Sequence, residues 1–63
     1  MNDLEKAIAL LSNRKYKLTD ISKKTGIPLI TIRTYSSNHV KLKTAAWERV
    51  YKLAQLYDEK VNN

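Results

Sequence analysis

The chain contains a single glycine and a single proline, and they stand two apart, at Gly26 and Pro28. Glycine ends a helix easily, because it enters the left-handed region without a Cβ clash. Proline cannot donate inside a helix but fits the first turn of a new one. The stretch from Leu18 to Ser37, LTDISKKTGIPLITIRTYSS, is therefore expected to be two short helices joined by a tight turn. Leu18 and Ile21 lie three apart, as do Ile32 and Tyr35, which gives each helix one apolar face. Ser22 is small and stands four before Gly26, where the two helices must pass closely. The β-branched run after Gly26 has strand propensity, but the Gly and Pro placement argues for helix. Helix, glycine turn, helix at these lengths is a helix-turn-helix.

With 63 residues the chain is expected to be one domain with a small core. It has no cysteine, so disulfides and thiolate metal sites are excluded, and the lone His39 cannot build a zinc site. No cofactor is expected. No apolar run is long enough to span a bilayer, and the charged N-terminus does not read as a secretory signal, so a cytoplasmic protein is expected. The near absence of Gly and Pro favours an all-α chain.

Charge is unevenly placed. Between Arg14 and Lys43, eight basic residues face Asp20 alone, a net of +7, whereas the two ends together sum to −1. The positive charge thus surrounds the helix-turn-helix, the footprint of a phosphate-backbone binder. Solubility alone is the competing explanation.

In chain order, Asn2 or Asp3 is expected to cap a first helix that buries Leu4, Ala7, Ile8 and Leu11 and ends near Ser12 or Asn13. Arg14 to Lys17 reads as a basic connector with Tyr16 packed back on that helix. The second helix is expected to start at Leu18 or Thr19, with Thr19 a candidate N-cap. Asn38 is expected to close the third in a left-handed conformation. Residues 39–43 read as a loop with Val40 and Leu42 facing in. Thr44 is expected to cap a last helix, over about 44–59, whose apolar face holds Ala46, Trp47, Val50, Leu53, Ala54 and Tyr57, with Tyr51 and Leu56 off that face. The expected fold is a four-helix, possibly five-helix, domain.

The pattern Leu18-x-x-Ile21-Ser22-x-x-Thr25-Gly26-Ile27-Pro28-x-x-Thr31-Ile32-x-x-Tyr35 resembles the phage repressor and Cro type of helix-turn-helix regulator. The segment from Leu42 to Tyr57 also resembles the helix that follows in that family. The resemblance implies a lambda-repressor-like fold and a small transcriptional regulator, of phage or plasmid kind, that binds double-stranded DNA. It departs from the family at Leu29 and Ile30, where polar residues are common.

A third helix lying in the major groove would present Leu29, Ile30, Arg33, Thr34 and Ser37 to bases. Arg33 can take two acceptors on guanine or hold a phosphate, and Leu29 and Ile30 can touch thymine methyl groups. Candidate phosphate contacts are Lys15, Lys17, Thr19, Lys23, Thr31, Asn38, Lys41 and Lys43. Capping is the alternative role for the two threonines, and simple solvation for the lysines. So small a reader needs two copies, and the outer face of the last helix, with Tyr51 and Leu56, is the expected homodimer surface. The rival reading is a protein-interaction module, such as an antirepressor, gripping another regulator through Leu29 and Ile30. Catalysis finds no footing: no nucleophile trio, glycine-rich loop or paired carboxylates in an apolar setting.

Overall fold

The computed structural model describes residues 1–62 and is all-α. Its helices are α1 (Asp3–Ser12), α2 (Leu18–Thr25), α3 (Leu29–Ser37), α4 (His39–Lys43) and α5 (Trp47–Asn62). The arrangement is a small five-helix domain whose middle is the α2–α3 helix-turn-helix. Each helix sends one large side chain into complete burial: Leu10, Ile21, Ile32, Leu42 and Leu53. The largest interface is that of α1 on α5, and α2, α3 and α4 pack around it.

Helix α1 starts with a reciprocal cap. Asn2 Oδ1 accepts from the Glu5 amide at 2.8 Å, and the Asn2 amide donates to Glu5 Oε1 at 3.2 Å. Asp3 and Glu5 also sit at the positive end of the helix. Helix α2 begins at Leu18, one of its two expected starts, but Thr19 does not cap it. Lys17 is its N-cap without a side-chain bond, and Thr19 lies inside the first turn. Leu18 and Ile21 both pack on the core, so the backbone must already be helical at Leu18.

The turn is held by hydroxyls. Gly26 has φ 75° and donates to the Ser22 carbonyl at 2.9 Å. Ile27 is buried, and both of its backbone groups find partners. Ser22 Oγ donates to the Ile27 carbonyl at 2.6 Å, and the Ile27 amide donates to Thr25 Oγ1 at 3.4 Å. Ser22 is thus more than a small residue at a close approach. The Pro28 carbonyl then accepts from Thr31 and Ile32 at 3.0 and 3.1 Å to open α3.

Three expectations around α4 and α5 are corrected. Asn38 is extended (φ −140°, ψ 94°), because α4 follows at once and Asn38 caps it, accepting from the Val40 amide at 3.1 Å. Residues 39–43 are helical, and at about 100° per residue a helix cannot turn both i and i+2 inward. Leu42 is wholly buried and Val40 is 64 % exposed. Thr44 ends α4 by donating to the Lys41 carbonyl at 3.1 Å, so α5 opens only at Trp47.

The buried arc of α5 also differs from the expected one. It comprises Val50, Leu53, Ala54 and Leu56, so that Leu56 is in (5 % exposed), near Thr25 of α2, and Trp47 is out (66 % exposed). Ala46 is exposed ahead of the helix. Tyr16 packs on the core as expected.

Ion pairs tie α5 to its neighbours. Lys6 Nζ meets Asp58 Oδ2 at 2.9 Å, and Lys60 Nζ meets Asp20 Oδ2 at 3.1 Å. The Asp58 bond raises the Lys6 pKa, and the Lys60 bond holds the Asp20 carboxyl below its ordinary value.

Two predictions follow from this packing. No atom lies within 4 Å of a Cβ built at Gly26, so Gly26→Ala isolates the cost of the left-handed backbone. That cost is about 1 kcal/mol, and thermal melting should fall by about 4–8 °C. An unchanged midpoint would refute this reading of the turn. Asp20 contributes stability above its unfolded pKa, near pH 4, and loses it as pH falls through the lower folded value. Melting followed from about pH 5 down to about pH 2 should therefore drop further for the native chain than for Asp20→Asn.

Candidate nucleic-acid interface

Helix α3 is built from residues of weak intrinsic helix propensity, Ile30, Thr31, Ile32, Thr34 and Tyr35 among them. Its inner side supplies the packing that compensates. Ile32 and Tyr35 are buried. The Tyr35 hydroxyl accepts from Arg49 Nη1 at 3.0 Å, and Ser36 Oγ donates to the Leu11 carbonyl at 3.2 Å. The helix is thereby fixed to α5 at Tyr35 and to α1 at its C-terminal end. Arg49 carries no signal in the sequence that would mark it as an α3 support. It stands fourteen residues away from Tyr35, on another helix.

The outer side of α3 is open. Ile30, Arg33, Thr34 and Ser37 are all exposed, at spacings of three, one and three, which makes a single stripe along the helix. Ile30 is 77 % exposed. Thr34 Oγ1 donates to the Ile30 carbonyl at 3.0 Å and Ser37 Oγ to the Thr34 carbonyl at 3.2 Å. Both hydroxyl hydrogens point back into the helix, so the oxygens face outward as acceptors. Arg33 supplies the donors of the stripe. Leu29 does not join it: it is half-buried at the flank, because neighbours in a helix diverge by about 100°. Leu29 and Ile30 thus form no common patch.

The expected phosphate contacts fall on the connector and the three helices that follow it. Lys15 and Lys17 are exposed on the α1–α2 connector, Lys23 on α2, and Lys41 and Lys43 on α4. Thr19 is exposed in the first turn of α2, where backbone amides lack intrahelical acceptors. Thr31 is half-buried, and its amide already donates to Pro28, which removes that amide as an anion donor. Asn38 is exposed, with its Oδ1 engaged in capping α4.

Ion pairing is as uneven as the charge along the chain. The ion pairs among the described residues use Lys6, Lys52 and Lys60, all outside residues 14–43. Asp20, the single acid within that segment, is bonded to Lys60. Among the described residues the eight basic side chains of that segment are in no ion pair.

Among the described residues no three His, Cys, Asp or Glu side chains converge as metal ligands, and no helix is long and apolar enough to cross a membrane. On α5, Trp47 and Tyr51 are both exposed, four residues apart, and Gln55 Nε2 donates to the Tyr51 hydroxyl at 2.8 Å. Leu56, expected beside Tyr51, belongs to the core instead. No family model matches the chain, and no curated protein or solved structure matches it either.

Proposed function

We propose that the protein is a sequence-specific double-stranded DNA-binding regulator of the repressor type, of the phage repressor and Cro kind that its helix-turn-helix resembles. The observation that carries this is the open stripe Ile30, Arg33, Thr34 and Ser37 on a helix flanked in sequence by seven further basic residues, none in an ion pair among the described residues. Lys15, Lys17, Lys23, Lys41 and Lys43 neutralise backbone phosphates and set the register. Arg33 donates to the O6 and N7 acceptors of a guanine, and Ile30 contacts a thymine methyl. Thr34 and Ser37 accept from the amino groups of adenine or cytosine. Two copies bind adjacent half-sites, joined through Trp47 and Tyr51 of α5.

One observation favours a second reading. Ile30 is 77 % exposed, which suits a protein contact as well as a methyl group. Salt separates the two: affinity for DNA falls steeply with ionic strength, and an apolar protein contact hardly changes.

Selection of bound duplexes from a random pool should enrich one motif with two-fold symmetry. Arg33→Ala should then lose about 1–3 kcal/mol on that motif and relax one base position. Lys41→Ala should weaken all duplexes alike and lower the salt slope by about 1. Equal competition by random duplexes would leave binding by charge alone. Dimerisation has its own test. Trp47 is the chain's one tryptophan, so its emission should shift to the blue as concentration rises. Trp47→Ser should sediment as a monomer at concentrations where the native chain pairs. A native chain that stays monomeric at high micromolar concentration would overturn the dimer.

A further inference from the structure

A groove of about 500 Å³ opens between the end of α1, the α1–α2 connector and the α3–α4 junction. None of its lining residues belongs to the stripe on α3. Its polar lining comprises Ser12, Asn13, Arg14, Tyr16, Ser36 and His39, and no carboxylate lines it. Leu11 and Leu18 supply the apolar part. A guanidinium, an imidazole, hydroxyls and an amide without any acid select an oxyanion. Asn13 accepts from the Lys15 amide through Oδ1, and its Nδ2 remains a donor. Ser36 is engaged by the Leu11 carbonyl, which leaves its oxygen to accept.

Ser12 Oγ and His39 Nε2 lie 3.3 Å apart, and their roles depend on the ring's protonation. A neutral ring accepting at Nε2 draws the serine hydrogen toward itself. A protonated ring donates from Nε2 to Ser12 Oγ, and the serine hydrogen is released to a third group. For a neutral ring with its hydrogen on Nδ1, one proton taken from solvent thus adds a positive charge and one O–H donor to the groove together; for one with its hydrogen on Nε2 it adds the charge alone. The groups facing His39 are Ser12 from α1, Arg14 and Tyr16 from the connector, and Ser36 from α3. Helix α2 contributes only Leu18, and Lys41 and Lys43 share the helix of His39. Lys60 of α5 sits 5.1 Å from the centroid of the Tyr16 ring and is bonded to Asp20.

We propose that this groove is a seat for a phosphate group held by Arg14, Ser12, Asn13 and His39, and that anion binding is linked to protonation of His39. A phosphodiester of a nucleic-acid backbone and a free phosphate present the same oxygens. Only the first of these sources rests on the DNA-binding reading.

The test is an NMR titration of the full chain with sulfate, a tetrahedral dianion whose charge is constant across the range used. At about pH 6 sulfate should shift Ser12, Asn13, Arg14 and the His39 ring saturably, and the affinity should fall about three- to tenfold by about pH 8. His39→Gln should flatten that dependence, and Arg14→Gln should weaken binding at both pH values. Unchanged melting of the two surface variants shows that neither acts through the fold. Shifts that do not saturate, or equal affinity at the two pH values, would overturn the seat. A short duplex then identifies the source. Displacement of sulfate makes the seat a backbone contact, and sulfate retained beside a duplex bound through Arg33 makes it a free-anion site. Duplex binding with no sulfate binding at any pH sinks the seat alone, and sulfate binding with no duplex binding sinks the DNA reading alone.

Discussion

Five side chains, one from each helix, enclose one another at the centre of this protein: Leu10, Ile21, Ile32, Leu42 and Leu53. The other features depend on that junction. Helices of eight to ten residues, such as α1, α2 and α3, are marginal alone in water. The four-turn α5 and the capped α1 form the frame, and the shorter helices gain their order by packing into it. Helix α3 gains most, since its β-branched composition would otherwise favour extended chain.

The same packing sets the direction of the exposed stripe. With Ile32 in the centre, Ile30, Arg33, Thr34 and Ser37 have no other side to occupy. The Arg49–Tyr35 bond and the Ser36–Leu11 bond then fix the helix at its middle and at its end. A stripe held this way is in place before any partner arrives. Rigidity of this kind lowers the ordering cost on binding, which matters for a domain that makes few contacts.

The parts legible in the sequence are those governed by short-range rules. Leu18, Ile21, Ile32 and Tyr35 announce two apolar faces by spacing, and Gly26 announces the turn because one residue type dominates left-handed caps. Ile30, Arg33, Thr34 and Ser37 then follow as the complement of a known face. The parts that were not legible depend on partners far along the chain. The apolar residues of α5 span so much of its circumference that either Trp47 or Leu56 could lie at the buried edge, and the packing of α1 and α2 on it decides for Leu56. A five-residue α4 has too few turns to show a period, so Val40 and Leu42 read as alternation. Asn38 suits both a left-handed stop and an N-cap, and the choice between them is made by the helix that follows. The hydroxyls of Ser22 and Thr25 were invisible as supports because their partners, the Ile27 backbone groups, become buried only once the turn exists.

Charge links the core to the surface. A net of +7 confined to residues 14–43 repels itself, and in so small a domain that repulsion opposes compaction. The acids that could relieve it sit on the frame. Asp58 binds Lys6, Glu48 binds Lys52, and Asp20, the one acid of the segment, binds a lysine of α5. Two of these pairs join α5 to α1 and to α2, the third lies within α5, and among the described residues the eight basic side chains of the segment stay out of them. Exposed pairs contribute little in isolation, so this arrangement does not maximise stability. It leaves the basic side chains of residues 14–43 without an ion pair among the described residues, at a cost in self-repulsion. On the DNA-binding reading proposed above, a polyanion bound to these side chains would relieve the repulsion. Binding and folding then favour one another, which is what mass action requires of a ligand that recognises only the folded state.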